Sequence, residues 1–428
     1  MNQIKLRLFY FMIFLVFTQG MWERLFLFSS FIQTLLDISI LAFILFQFKY
    51  NFKAPGSSIF LLLCAIAFFN GFANENSMVE TFLYLRFTIY TYLIYNQLYS
   101  IRLRAEKWIT VLKLLIVMVV IQGVGALFNI FVLGDRIEGF VGLMSSLGGT
   151  TATVFPLLIT SILLVFYLFT YKLNKKTQIV LGVLLFSGIL VGYSSGKRGI
   201  YFIIPLIMAV ITVITIPKLK KYTFFKKKLI GLALMVVLIF PLIIYGIVNS
   251  RGLNYALSGN ESSLEVISNA LDYADEYENS TDQFGRTIGR SNTSARIIEA
   301  TLSNTKIFFL GEGYGATKQE STMLKLGYGY GVVGFTRDLI SGGFFLCLFT
   351  IILMLRIILK NKSIKTKFST IMRYTLLIVF LYTHLFYSSD FTVSLKMTSI
   401  LVVILALLNS PFHRVALIKI LKSGRILK

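Results

Sequence analysis

Residues 108–133 read WITVLKLLIVMVVIQGVGALFNIFVL, with Lys113 as the only charged side chain in the run. An α-helix needs about twenty residues to cross the roughly 30 Å hydrocarbon core of a bilayer, so this run is long and apolar enough to do so. Similar runs recur from one end of the 428-residue chain to the other. The repetition predicts an all-α polytopic membrane protein.

The composition points to the same class. Hydrophobic residues make up 56% of the chain, charged residues only 14%, and the mean hydropathy is +0.77. A soluble domain carries about a quarter charged residues, and a disordered chain cannot be this apolar, so the composition argues against both. Cys64 and Cys347 fall inside apolar runs, which favours packing over a disulfide framework or a metal site.

A span length of about twenty residues divides the chain into twelve predicted transmembrane helices. They cover residues 6–22, 26–47, 58–73, 80–98, 108–133, 151–171, 178–194, 200–216, 229–249, 331–358, 374–389 and 391–409. Spans one to nine thus occupy 1–249, a large external loop 250–330, and spans ten to twelve with a basic cytoplasmic tail 331–428. The N-terminal run resembles a signal peptide but lacks a small-residue cleavage site, so we interpret it as an uncleaved first span.

Positive charge alternates from loop to loop. The termini and every second connection hold 27 Lys and Arg residues, whereas the opposite set of loops holds 11. Cytoplasmic loops carry the excess of basic residues in membrane proteins, so both termini are predicted to be cytoplasmic. This topology accounts for the net charge of +23, and nucleic acid is not expected as a partner.

The loop at 250–330 is the one long external connection, with ten acids and seven bases. Asn292, Thr293 and Ser294 precede the stretch ARIIEA, which predicts a capped short helix before the glycine-rich segment 311–315. Loops of this length are usually functional or disordered. We expect part of this one to be ordered and to lie on the membrane surface.

External cations are candidates for binding a pyrophosphate, because guanidinium groups grip phosphate with two hydrogen bonds and lysine adds a point charge. The candidates are Lys197 and Arg198 in a glycine-flanked hairpin, and Arg286, Arg290 and Arg296 in the long loop, where the first two are four residues apart. The alternative for each is an ion pair with a loop acid such as Asp282 or Glu299, or contact with lipid headgroups.

Other residues are open to two interpretations. Glu320 is either a general base for a sugar hydroxyl or a solvated loop acid. His384, near the outer end of the eleventh span, is either a base or a packing residue. The aromatic side chains of Tyr314, Tyr328 and Tyr330 could stack on sugar rings or pack in a core.

Ionisable residues also fall within or beside apolar runs, namely Asp37, Arg86, Lys113, Arg337, Asp338 and Lys396. Such groups are costly in lipid, so each is expected to face a partner or a cavity. Arg337 and Asp338 are expected to neutralise each other, whereas Arg86 either lines a cavity or forms a salt bridge. The chain has no P-loop, Rossmann fingerprint or metal-spaced His/Cys cluster, so no cofactor or metal is expected.

Several short motifs resemble the O-antigen polymerase and ligase superfamily, which includes the Wzy-type polysaccharide polymerases. Residues 195–199 (SGKRG) are similar to its S-x-S-R-G hairpin, and Arg296 with 309–315 (FLGEGYG) resembles its R…(I/L)fGvGxG segment. Glu320-Ser321, nine residues and GVVG match the ligase spacing H-[N/S/Q]-x9-G-x-x-G, with Glu320 in place of the histidine. Arg136 corresponds loosely to an arginine that precedes the sixth span in the family.

The resemblance implies a GT-C-like, metal-independent glycosyltransferase in the bacterial inner membrane. Its substrate would be a glycan repeat unit on undecaprenyl pyrophosphate, transferred to a sugar hydroxyl of another lipid-linked unit. Arg198, Arg296 and Lys197 would stabilise the leaving pyrophosphate, and Glu320 would activate the acceptor. The lipid bilayer and a chain-length regulator protein are the other implied partners.

Two alternatives stay open. An O-antigen ligase belongs to the same superfamily, but this chain lacks the ligase histidine at position 320. A non-enzymatic lipid-linked oligosaccharide flippase also fits twelve helices and buried charges. It has no need of a long external loop with clustered arginines, which favours the enzyme.

Overall fold

The protein is described by a computed structural model over most of its length. The described residues are 2–26, 29–45, 53–101, 103, 105–133, 142–144, 151–169, 175–194, 199–219, 226–231, 278–317, 319–329, 331–360, 366–387, 395–410, 413 and 417–418. Most of the predicted ninth span, the first part of the long loop and the end of the tail lie outside this set.

The described part of the chain is almost entirely helical and has no β-strand. Its helices are α1 (Asn2–Phe26), α2 (Ser29–Leu45), α3 (Ser57–Ala73), α4 (Met78–Ser100), α5 (Ala105–Phe131), α6 (Thr151–Phe169), α7 (Lys175–Ser194), α8 (Gly199–Leu219), α9 (Arg290–Ser303), α10 (Thr305–Leu310), α11 (Glu320–Leu326), α12 (Gly334–Leu359), α13 (Lys367–Phe386) and α14 (Leu395–Asn409). Eleven of the twelve predicted spans coincide with one helix each, α1 to α8 and α12 to α14.

Four of these helices are long and apolar enough to cross a membrane, judged by length and composition. They are Gln3–Leu25 within α1, Ala105–Phe131, Gly334–Leu359 and Lys367–Phe386. Shorter apolar helical stretches, of 10–17 residues each, lie within α2, α3, α6, α7, α8 and α14. These helices support a membrane protein, while the count of twelve spans and the GT-C-like architecture stay predictions.

Polar caps mark where some apolar helices begin. Ser77 Oγ accepts the backbone N–H of Glu80 at 3.1 Å, and the Glu80 carboxylate accepts the N–H of Ser77 at 2.8 Å. This capping box satisfies donors that have no partner inside the helix. The Thr366 side chain likewise accepts the N–H of Ser369 before α13. The starts of α4 and α13 are therefore set by local sequence.

One end of the bundle, here called the tail end, joins helix ends that the charge pattern assigns to one side. Lys5 Nζ in α1 donates to Gln97 Oε1 in α4 at 2.5 Å. Gln97 Nε2 donates to the carbonyl of Ile44 in α2 at 3.3 Å. The His413 ring contacts the carbonyl oxygen of Ile101 at 2.9 Å. The start of α1 therefore meets the ends of α2 and α4.

The opposite end, here called the loop end, joins the other ends of the same helices. Gln19 near the end of α1 donates to Gln33 near the start of α2 at 3.2 Å. Tyr84 near the start of α4 donates to Asp338 near the start of α12 at 3.0 Å. Helix α1 therefore runs from the tail end to the loop end, whereas α2, α4 and α12 begin at the loop end and run the opposite way, in agreement with the charge pattern. The cytoplasmic location of the tail end stays a prediction from charge.

A buried arginine ties three helices together at the tail end. Arg373 of α13 donates through Nη1 to the carbonyl of Ile358 at 2.7 Å and through Nη2 to that of Leu408 at 3.3 Å. The last carbonyls of a helix lack partners inside it and carry the negative end of its dipole, so a cation suits them. Arg373 therefore caps α12 and α14 together.

Helix α12 is broken close to the loop end. Gly343 has φ 74° and ψ −176°, a conformation that is adopted almost only by glycine. A Cβ atom at this position would lie 2.4 Å from the carbonyl oxygen of Phe309 in α10. The break therefore allows α10 to approach the backbone of α12 closely.

Candidate functional site at the loop end

Part of the long polar loop forms helices that pack on the loop end. Helices α9, α10 and α11 belong to it, and the helix predicted after Ser294 falls within α9. Both α9 and α10 contact α12. The N–H of Gly334 at the start of α12 donates to the carbonyl of Tyr387 after α13 at 2.8 Å. The loop, α12 and α13 therefore form one continuous surface.

A tight turn orders Arg286, the first of the three candidate loop arginines. The Asp282 carboxylate accepts the N–H groups of Phe284 at 2.9 Å and Arg286 at 3.0 Å, and Nε of Arg286 at 2.6 Å. Desolvation raises the pKa of Asp282, but these bonds outweigh it and the pKa lies below its ordinary value. Asp282 is therefore the carboxylate counter-ion of Arg286.

Arg286 links this turn to the predicted base. Its side chain is only 6% exposed, and Nη1 lies 3.9 Å from Oε1 of Glu320 at the start of α11. The Glu320 side chain is 66% exposed. Because Arg286 is buried and already paired with Asp282, the structure favours the ion-pair alternative for it over substrate binding. Glu320 remains accessible to a substrate hydroxyl.

Arg290, the first residue of α9, has neutral partners in the part of the chain that the structure describes. Its guanidinium lies 4.6 Å from the ring centroid of Tyr387, and Nη1 donates to the carbonyl of Phe386 at 3.4 Å. A guanidinium held over an aromatic ring keeps donors for a further anionic partner. Of the described loop arginines, Arg290 is the best placed to bind a phosphate.

Arg296 is exposed on α9. Its Nη1 lies 3.9 Å from Oε2 of Glu299, and both side chains are more than half exposed. Such surface pairs contribute little, so Arg296 stays available to a ligand. Residues six apart on an α-helix lie about 120° from each other around the axis, so Arg290 and Arg296 do not share a face.

The two described tyrosines that were candidates for stacking on sugars are buried. Tyr314 donates its hydroxyl to the carbonyl of Ala67 at 2.7 Å, and its ring stacks on Tyr84 with centroids 4.4 Å apart. Tyr328 donates to the carbonyl of Ala316 at 3.0 Å. Burial raises the pKa of both hydroxyls. In this placement neither ring is open to a sugar, so we assign both to packing.

Asparagines hold the glycine-rich segment 311–315 on the bundle. Asn74 at the end of α3 donates to the carbonyl of Leu310 at 2.9 Å. The N–H of Tyr314 donates to Oδ1 of Asn76 at 2.9 Å. Sequence reasoning missed these residues. The available signal was three asparagines at the end of one apolar run, Asn70, Asn74 and Asn76.

Two ion pairs account for four of the ionisable residues in apolar runs. Arg337 Nη2 lies 2.8 Å from Asp338 Oδ1, which confirms their predicted neutralisation. Arg86 Nη1 lies 3.1 Å from Asp37 Oδ2, so the structure favours the salt-bridge alternative for Arg86. Pairing and hydrogen bonding offset the cost of burying such charges.

The remaining candidates are placed as follows. His384 is buried in α13, with its ring stacked on Phe380 at a centroid distance of 5.3 Å, which favours packing. Four residues with predicted roles lie outside the described residues: Arg136, Lys197, Arg198 and Tyr330. Their roles stay predictions. Within the described ranges, no group of three or more His, Cys, Asp or Glu residues could hold a metal ion.

Comparison with known proteins adds no relative, since neither a family model nor a curated protein sequence matches the chain. The likeness to the O-antigen polymerase and ligase superfamily is therefore a hypothesis carried by the short motifs alone.

Proposed function

We propose that the chain is a membrane glycosyltransferase that polymerises undecaprenyl-pyrophosphate-linked repeat units into surface polysaccharide, O-antigen or capsule. It would act at the outer face of the bacterial inner membrane. The observation that supports this best is the packing of loop helices on the loop end, which brings Arg290 and Glu320 to the end of the helix bundle. The diphosphate of a lipid-anchored substrate lies at the membrane surface, because its tail is buried in the bilayer.

The proposed reaction exchanges one bond to the anomeric carbon for another. Glu320 accepts the proton of the acceptor hydroxyl, the freed oxygen attacks the anomeric carbon, and the bond from that carbon to the pyrophosphate oxygen breaks. The leaving pyrophosphate gains negative charge, which fixed cations stabilise. Arg290 would supply one cation, and Arg296 and the Lys197-Arg198 hairpin the others. Arg286 would hold the turn beside Glu320.

The ligase and the flippase remain alternative functions, and deletion of the gene separates them. A surface-glycan gel of a polymerase deletion shows a single repeat unit on the final acceptor in place of the ladder. A ligase deletion leaves long chains on undecaprenyl pyrophosphate. A flippase deletion leaves single repeats on the cytoplasmic face, and the catalytic roles of Arg290 and Glu320 would then be withdrawn.

Complementation of the deletion tests the residues. The variants Arg198→Ala, Arg290→Ala, Arg296→Ala and Glu320→Gln are expected to remove the ladder although each protein is present in the membrane. Arg356→Ala is the matched control, because it removes an exposed cation near the tail end of α12. It should restore the ladder. Full-length polymer from all four variants would exclude the proposed chemistry.

A further inference from the structure

We propose that α10 is an interfacial element that sits in the lipid leaflet at the loop end and holds the loop at the height of the headgroups. Its partner would be the bilayer, with acyl chains around Phe308 and Phe309 and lipid phosphates near Lys306. The inference rests on the membrane placement in the proposed function. It does not rest on the glycosyltransferase chemistry.

The first support is a cluster of four phenylalanines, two from α10 and two from α12, which form two stacked pairs. The ring centroids of Phe308 and Phe344 are 5.2 Å apart, and those of Phe309 and Phe345 are 5.8 Å apart. Phe309 is 43% exposed and Phe345 42%. Because α12 is long and apolar enough to cross a membrane, its exposed apolar side chains face lipid. Phe309 extends this lipid-facing surface onto the loop.

The height of this cluster follows from the length of α12. Beyond the break at Gly343, residues 344–359 form a continuous helix about 24 Å long. If Leu359 marks one edge of a hydrocarbon core of about 30 Å, the other edge lies about 6 Å beyond Phe344. The stacked rings of α10 therefore lie just inside the core. Lys306 is exposed on the same short helix and can reach the headgroups.

The backbone at the break is satisfied as burial in lipid requires. The Asn70 side chain donates to the carbonyl of Gly342. The N–H of Glu312 donates to the carbonyl of Ile340 at 2.7 Å. Irregular backbone is tolerated at membrane depth only where protein groups replace the missing water. A break that faced water would not need a buried asparagine and a docked loop to satisfy it.

The close approach of the two backbones fixes α10 in place. Gly311, with φ 75°, follows α10 directly, and a Cβ atom there would lie 2.6 Å from the backbone N of Gly342. Glycines at positions 311 and 343 therefore allow the backbone at the end of α10 and the backbone at the break in α12 to approach each other closely. As a result, α10 cannot rise from the leaflet without leaving α12.

Quenching of a single tryptophan tests the depth. The native Trp22 and Trp108 are replaced by phenylalanine, and the full chain is placed in nanodiscs of phosphatidylcholine without any lipid-linked glycan. The reporter is Phe309→Trp, with Phe345→Trp as the lipid-facing reference and Ala295→Trp, an exposed position of α9, as the water-facing control. Phe308→Trp replaces the reporter if Phe309→Trp does not reach the membrane.

Lipids brominated near the glycerol end of the acyl chain should quench Phe309→Trp and Phe345→Trp to similar extents. Aqueous iodide should quench only Ala295→Trp. Two results would overturn the proposal: quenching of Phe309→Trp by iodide instead of brominated lipid, or quenching by lipid only after a brominated polyisoprenoid is added. The second would mean that the surface binds a substrate tail and not the bulk bilayer.

Discussion

Replacing Gly343 by alanine is expected to separate the loop from the bundle. Gly343 has φ 74° and ψ −176°, where a residue with a Cβ atom is strained. That Cβ would also lie 2.4 Å from the oxygen and 2.5 Å from the carbon of the Phe309 carbonyl. Both atoms belong to the backbone, so a side-chain rotation cannot relieve the contact. Either α12 straightens or α10 moves away.

The expected cost follows from these two effects. The backbone conformation contributes about 1–3 kcal/mol for a residue other than glycine. Overpacking against a fixed neighbour contributes about 1–3 kcal/mol more. The total of about 2–6 kcal/mol is a large share of the 5–15 kcal/mol that stabilises a typical protein. Gly343→Ala should therefore lower the melting temperature clearly.

Two other glycines serve as matched controls. At Gly342 the added Cβ would meet Cδ2 of Leu346 at 2.1 Å, the end of a flexible side chain, so we expect a smaller loss. At Gly182 in α7 nothing lies within 4 Å, and alanine favours the helix by about 1 kcal/mol.

Unfolding of the purified protein can be followed with a thiol-reactive dye in a Cys64→Ser background, because Cys64 is only half-buried whereas Cys347 is buried four residues after the break. The melting temperatures should fall in the order Gly182→Ala, Gly342→Ala, Gly343→Ala. Equal values for the last two would refute the role given to the break.

Two further predictions use the same melting assay at the tail end. Arg373→Met leaves the carbonyls of Ile358 and Leu408 without this donor, so the free energy of unfolding should fall by about 2–4 kcal/mol. Arg373→Lys should give an intermediate loss. An unchanged melting temperature would mean that the caps contribute nothing. Burial lowers the pKa of His413, against the opposing effect of two backbone carbonyls, so the folded state favours the neutral ring. The contribution of the neutral ring to stability should be fully present above about pH 6.5 and should fall at lower pH. His413→Asn should make the melting temperature fall less steeply between pH 7 and pH 5. A pH profile of the variant that runs parallel to that of the native protein would exclude the histidine as the source of the fall.

Much of the helical layout could be predicted from sequence, because apolar run length and loop charge are local properties. The predicted span at 58–73 differs from α3 by one residue, and that at 151–171 differs from α6 by two. The largest error is at the start of α13, which begins at Lys367 and not at 374. The hydropathy pattern does not indicate that start, because a capping threonine and basic residues extend the helix beyond its apolar part.

The site depends on contacts between distant segments, which no single-sequence pattern encodes. Tyr314 was open to sugar stacking or packing, and only its bond to Ala67 and its stack on Tyr84 decide for packing. The break at Gly343 is likewise invisible in an apolar run, since glycine is common in membrane helices. The structural role of the break is evident only from the contact between Gly343 and the backbone of Phe309, which lies more than thirty residues earlier in the sequence.

The pairing of charges decides which loop-end arginines are available to an anionic substrate. Arg86, Arg286 and Arg337 each have a carboxylate oxygen at 3.1 Å or less, so turning any of them toward a phosphate would leave an acid unpaired. Arg290 has a carbonyl and an aromatic ring instead, and phosphate binding there breaks no ion pair. Within a single helix, the four-residue spacing of Arg286 and Arg290 would place both side chains on one face. However, α9 begins only at Arg290, so the turn before it directs the two arginines to different partners: Arg286 to the support of Glu320, and Arg290 to the proposed site of the leaving group.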